Sequence, residues 1–129
     1  MVYQDKGIAK PQLLIIEDNP VCQRIYLAIL GRYYQIASAG NAAEALQCLS
    51  KQAYDCIILD LGLPDKPGID VLSFIRNDEL NKDTPIIIIS AHMSDDIQQT
   101  CLHLGANAIY TKPIGSGLLR SVIENFLGS

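Results

Sequence analysis

The sequence predicts an α/β fold, a doubly wound parallel sheet of five strands with five helices, and three observations carry that prediction. Short apolar runs alternate five times with segments whose apolar residues recur at helical spacing. Turn and cap residues separate every run from the helix that follows. The runs are apolar throughout rather than on alternate positions, as strands covered on both faces are, and parallel sheets are covered on both faces. Right-handed crossovers then leave a doubly wound sandwich as the natural topology.

Each element has its local reason. Residues 1–10 read as a polar tail or linker, and 11–129 as one domain. Leu13–Ile16 is the first buried strand. Asn19-Pro20 starts a helix, with Pro just inside it, and Val21, Ile25, Ala28 and Ile29 recur at helical spacing before Gly31 ends it. Ile25 and Ala28 are expected to face the core. Tyr34–Ala39 is the second strand. Asn41 caps a helix with the apolar face Ala42, Ala45, Leu46 and Leu49. Cys56–Leu59 is a strand running into Asp60, and Gly62, Pro64, Pro67 and Gly68 make the loop after it. Val71, Leu72 and Ile75 mark the third helix. Pro85–Ile89, the most β-branched run, ends at Ser90. Ser94 caps a helix whose first turn carries Asp95 and Asp96, which favour its positive end. Ile97, Cys101 and Leu104 form its inner face, and Gly105 stops it. Ala108–Tyr110 is the fifth strand, and Leu118, Leu119, Val122, Ile123 and Phe126 lie on the last helix.

Composition excludes several functions. The chain of 129 residues has an apolar fraction of 49%, a charged fraction of 19% and a net charge of −4, which fits a soluble globular domain. Its ten Lys and Arg are scattered and make no basic stripe, so nucleic acid is not expected as a direct partner. No apolar run approaches the roughly 20 residues of a membrane span, and no signal-peptide core is present; the expected location is cytoplasmic. Cys22, Cys48, Cys56 and Cys101 form no C-x-x-C pair, and neither His92 nor His103 stands at ligand spacing, so they read as reduced thiols rather than a zinc site.

Ligands of open parallel sheets bind beyond the carboxyl ends of the strands, so those ends carry the function. Strand one ends in Glu17-Asp18, strand three in Asp60, strand four in Ser90, and strand five in Thr111-Lys112-Pro113. A single acid after a strand is ordinarily a helix cap or a solvated loop residue. Three acids on one rim raise one another's pKa and need a cation. A hard, oxygen-liganded ion such as Mg²⁺ suits them, and Lys112 adds a second positive charge. The same acids would repel a flavin phosphate after strand one. Neither a P-loop nor a dinucleotide-binding glycine motif occurs.

This constellation resembles the receiver domain of two-component response regulators, from Gln12 to the C-terminus. The resemblance is carried by Glu17-Asp18, by Asp60-Leu61-Gly62-Leu63-Pro64 with Gly68 after it, by Ser90-Ala91, and by Lys112-Pro113, all in order and each at a strand end. It implies the flavodoxin-like receiver fold and a phosphorelay role. Asp60 would accept a phosphoryl group. Mg²⁺ would bind Asp18, Asp60 and the Gly62 carbonyl directly and Glu17 through water. Ser90 and Lys112 would hold the phosphoryl oxygens, with Ser90 and Tyr110 as the switch pair and Pro113 following a cis bond. The donor would be a phosphohistidine on a histidine kinase or histidine phosphotransfer domain, docking on Asn19, Pro20, Val21 and Cys22 with Ile114. A homodimer through helix four, strand five and helix five is one assembly the resemblance allows. The Leu63-Pro64-Asp65 loop resembles that of kinase-fused receivers, so a hybrid histidine kinase is the expected origin, with a stand-alone or larger regulator left open. Two other readings compete. A pseudo-receiver binding module would have lost residue types that are all present here. A haloacid-dehalogenase-type phosphatase would need a second Asp two residues after the nucleophile, where this chain has Gly62.

Overall fold

The computed structural model describes residues 10–128. The tail expected over residues 1–10 therefore lies, but for Lys10, outside the described residues. Strands β1 (Gln12–Ile16), β2 (Gln35–Ala39), β3 (Cys56–Leu59), β4 (Ile86–Ser90) and β5 (Ala108–Thr111) alternate with helices α1 (Pro20–Leu30), α2 (Ala42–Lys51), α3 (Gly68–Arg76), α4 (Asp95–His103) and α5 (Ser116–Leu127). All strand pairs are parallel, in the order β2-β1-β3-β4-β5. The chain leaves β1 toward one edge and returns to its other side at β3. That reversal opens a crevice above the carboxyl ends of β1 and β3.

Strand periodicity divides the core in two. Leu14, Ile16, Ile57, Leu59, Ile86 and Ile88 point to the face covered by α2, α3 and α4. Leu13, Ile15, Cys56, Ile58, Ile87 and Ile89 point to the face covered by α1 and α5. Both sets are essentially inaccessible to water, which is why β1, β3 and β4 read as continuous apolar runs. The edge strands β2 and β5 are only partly covered.

The predicted caps form. Asn19 accepts from Val21 N and Cys22 N, Asn41 from Glu44 N, and Ser94 from Ile97 N. The expected phase of α1 is corrected. Ile25 is 50% exposed and Ala28 is exposed, whereas Tyr26 and Leu30 are buried with Cys22 and Ile29 beside them. Tyr26 is the largest apolar side chain on the helix, and turning it inward removes the most apolar area from water. Among the described residues, no helix is long and apolar enough to cross a membrane.

One basic side chain ties three segments together. Arg76 donates through Nε and Nη2 to Gly105 O (3.0 and 2.8 Å), through Nη1 to Thr84 O (2.9 Å) and Lys82 O (3.1 Å), and through Nη2 to Asn107 Oδ1 (2.8 Å). The turn after α4 is thereby fastened to α3. Gly105 sits at φ +103°, and a Cβ there would stand 2.8 Å from Arg76 Nε. Gly105→Ala combines backbone strain with displacement of the guanidinium, so urea unfolding is expected to show a loss of about 1–3 kcal/mol. An unchanged midpoint and slope would refute this account of the turn.

Candidate functional site at the carboxyl edge of the sheet

The strand ends are held level by backbone hydrogen bonds: Glu17 N to Ala39 O, Asp60 N to Ile16 O, and Lys112 N to Ser90 O, each 2.9 Å. Side chains predicted from distant parts of the chain consequently meet. Lys112 Nζ donates to Asp60 Oδ2 and to Glu17 Oε1, both at 2.7 Å. The other Asp60 oxygen, Oδ1, accepts from Ser90 Oγ at 3.1 Å and from Gly62 N at 3.0 Å. Glu17 Oε2 accepts from Asn19 N at 3.1 Å, so the α1 cap is built onto the site. The Lys112–Pro113 peptide bond is cis.

Burial and charge act against each other here. Glu17 is 1% exposed and Asp60 6%, while Asp18 lies exposed on the rim. Burial pushes the Glu17 carboxyl up, against the downward pull of the Lys112 and Asn19 hydrogen bonds. Burial also works to raise Asp60, yet the Gly62 N–H and Lys112 hold it below the ordinary carboxylate range. Lys112, which burial alone would lower, is held above its usual value by the Asp60 and Glu17 carboxylates. Of the two buried acids, Asp60 is the one whose ionised form its surroundings favour beyond the ordinary carboxylate. A charged, hydrogen-bonded carboxylate at the open end of a parallel sheet has the chemistry to serve as an oxygen nucleophile.

Glu17, Asp18 and Asp60 each offer an oxygen within 4.8 Å of the others. A single ammonium, Lys112, ion-pairs with two of these three carboxylates. The donors are hard oxygens, two buried and one, Asp18, on the exposed rim, a set that fits a small divalent cation of the Mg²⁺ type.

The remaining predicted residues are placed as follows. Tyr110 lies part-buried on β5, packed with the α1–α5 side of the core. A cleft of about 140 Å³ beside Lys112 is lined by Cys22, Ile25, Tyr26, Lys112, Pro113 and Ile114. It brings Cys22 and Ile114 together, while Val21 is 53% exposed. Asn19, expected on the docking surface, has its side-chain oxygen committed to the cap. Three features escaped the sequence reading: the Glu17–Lys112 ion pair, the approach of Cys22 Sγ to Lys112 Nζ at 3.8 Å, and two hydrogen bonds from the α2 backbone to Asp65.

Known proteins share this arrangement of elements. The family model for the response regulator receiver domain matches residues 13–124. The transcriptional regulatory protein KdpE of Staphylococcus aureus is 37% identical over 112 residues, covering 87% of this chain and 47% of that protein. The sensor histidine kinase RcsC of Salmonella typhimurium is 28% identical, over 86% of this chain and 12% of that protein. The chain thus spans less than half the length of these relatives. Among solved structures, the receiver domain of sensor histidine kinase PA1611 from Pseudomonas aeruginosa, which holds a magnesium ion in its active-site cleft, superposes with a TM-score of 0.85 at 30% identity, covering 94% of this chain and all of that one. The receiver domain of a histidine kinase from Syntrophus aciditrophicus gives 0.83 at 26% identity, over 92% of this chain and 90% of that one. With its sheet order, its strand-end acids and a family match over most of its length, the chain belongs to the response regulator receiver domain family.

Proposed function

We propose that this domain, residues 11–129, is a phosphorelay receiver in which Asp60 accepts a phosphoryl group. The observation that supports this most is the Asp60 carboxylate itself, ionised and oriented by Lys112, Ser90 and the Gly62 N–H on the rim that also carries Asp18. An Asp60 oxygen attacks the phosphorus of a phosphohistidine, the P–N bond breaks, and the imidazole leaves with its electron pair and takes up a proton. The product is an acyl phosphate, labile enough to serve as a timed signal. Lys112 and Ser90 neutralise and hold the phosphoryl oxygens. Asp18, Asp60 and the Gly62 carbonyl would hold Mg²⁺, with Glu17 behind them. When bound, that cation supplies the positive charge that phosphoryl transfer requires. The chain acts as a switch that assists its own modification rather than as a turnover enzyme. Ser90 moving toward the phosphoryl group frees space for Tyr110 to turn inward, which reshapes the α4-β5-α5 face. The setting we assign is cytoplasmic.

Cation binding has a direct test. Mg²⁺ is expected to raise the melting temperature of the wild-type chain by linkage, and Asp18→Ala, on the exposed rim, is expected to lose most of that gain. An unchanged Mg²⁺ response in Asp18→Ala would rule out its role as a ligand.

The donor reading rests on the exposed start of α1 and the adjoining cleft. Pro20, Val21 and Cys22 with Ile114 form the surface we assign to the donor helix, and exposed Ile25 extends it by one turn. A buried charge at Val21 would oppose docking, so Val21→Asp is expected to slow transfer from a histidine phosphotransfer domain roughly tenfold or more. Acetyl phosphate, which needs no docking, should still label Asp60 normally. Equal loss with both donors would overturn the docking assignment.

A further inference from the structure

The loop between β3 and α3 is tied down at both ends and at its tip. At the far end Gly68 N donates to Leu61 O at 3.0 Å. A Cβ on Gly68 would stand 2.5 Å from Leu61 Cα and 2.8 Å from Asp60 O, so the loop's two ends touch there. At the near end Gly62 N donates to Asp60 Oδ1. At the tip, exposed Asp65 uses both carboxylate oxygens: Oδ1 accepts from Ala42 N at 2.8 Å and Oδ2 from Ala43 N at 3.0 Å.

Those two amides are the first of α2, and the third, Glu44 N, is satisfied by Asn41 at 2.8 Å. The helix start thus has two caps of different origin. Asn41 is local. Asp65 comes from more than 20 residues later, and its charge is favoured by the helix's positive end. Asn41 acts on α2 alone. Asp65 acts on α2 and on the loop, because it fastens the segment carrying Gly62 to a helix packed on the core.

We propose that Asp65 is a positioning residue for the Asp60 site: by clamping the loop tip onto the start of α2 it holds the Gly62 peptide beside the Asp60 carboxylate, and so sets the affinity for Mg²⁺ and the rate of phosphoryl uptake. The proposal rests on the reading of Asp60 as phosphoacceptor. Outer contacts that orient a ligand commonly change metal affinity by about ten- to a hundredfold.

Four proteins separate this from a mere effect on helix stability: wild type, Asp65→Ala, Asp65→Asn and Asn41→Ala. Calorimetry gives the Mg²⁺ dissociation constant of each, amide exchange reports on Gly62, and mass spectrometry follows uptake from acetyl phosphate. Asp65→Ala is expected to weaken Mg²⁺ binding roughly tenfold, to speed exchange at Gly62 and to slow uptake. Asp65→Asn, which keeps a neutral acceptor, is expected to fall between it and wild type. Asn41→Ala removes the other cap of the same helix end; it is expected to lower the melting temperature yet bind Mg²⁺ as wild type does. The proposal is overturned if Asp65→Ala binds Mg²⁺ like wild type, or if Asn41→Ala weakens it equally. A wild-type chain that neither binds Mg²⁺ nor takes up phosphate would overturn the reading of the site itself, a result distinct from either.

Discussion

Asp60→Asn is expected to abolish phosphoryl uptake while leaving the fold intact. The substitution keeps the size of the side chain and the oxygen that accepts from Ser90 and Gly62. It removes the negative charge that makes the oxygen a nucleophile, and an amide cannot form the acyl phosphate. The residual rate should be below roughly a thousandth of wild type, as when other essential nucleophiles are removed. A modest loss of stability is expected, because the amide gives up the Lys112 ion pair that helps hold Asp60 low, partly offset by relief of repulsion with Glu17, which Lys112 keeps. With Mg²⁺ and acetyl phosphate, mass spectrometry should find one phosphoryl group on the wild-type chain and none on the variant. Persistent labelling of the variant at another residue would count against Asp60 as the acceptor.

Lys112→Ala is expected to have the largest effect on stability and a large effect on chemistry. Lys112 makes two 2.7 Å ion pairs, and both partners are almost inaccessible to water. Removing one member of a buried pair costs about 3–5 kcal/mol, because the remaining charge is left desolvated. Lys112 retains 20% side-chain exposure, which places the expected loss near the lower end, at about 3 kcal/mol. Two consequences distinguish this from ordinary core damage. Without the ammonium, burial raises Glu17 against the Asn19 hydrogen bond alone, and Asp60 loses a contribution that keeps it low. The folded chain then binds more protons than the unfolded one, so the variant's stability must fall as pH rises through the raised folded-state values. Added Mg²⁺ should also stabilise the variant more than the wild type, since it replaces the missing charge. Urea unfolding at pH 5 and pH 8, with and without Mg²⁺, reads both effects. Phosphoryl uptake should drop roughly a hundred- to a thousandfold, the usual result of removing a preorganised donor to a developing charge. A variant as stable as wild type without Mg²⁺ at pH 8 would refute this account of Lys112.

What the sequence determined by itself is whatever depends on neighbours along the chain. The isoleucine run Ile86–Ile89 and the run Leu13–Ile16 announce strands buried on both faces, because covered strands have no polar side to alternate with. Asn19, Asn41 and Ser94 announce helix starts, since a cap bonds amides only two or three residues away. The acids, hydroxyl and lysine at the strand ends were legible as one site once the sheet was read as parallel, because parallel strands all end on the same edge. The tertiary structure decided the rest. The face of α1 could not be read from Pro-Val-Cys-Gln-Arg-Ile-Tyr-Leu-Ala-Ile-Leu, where apolar residues lie all around the helix; the packing of Tyr26 and Leu30 set it and turned Ile25 outward. The Glu17–Lys112 pair joins residues 95 apart in sequence, and the Asp65 clamp and the Arg76 hub join segments that no local pattern relates. Such contacts depend on the order of the strands and the path of the loops. Hydrophobic periodicity marks the buried face where apolar and polar positions segregate, as on α2; the fold alone brings distant polar groups within hydrogen-bond reach.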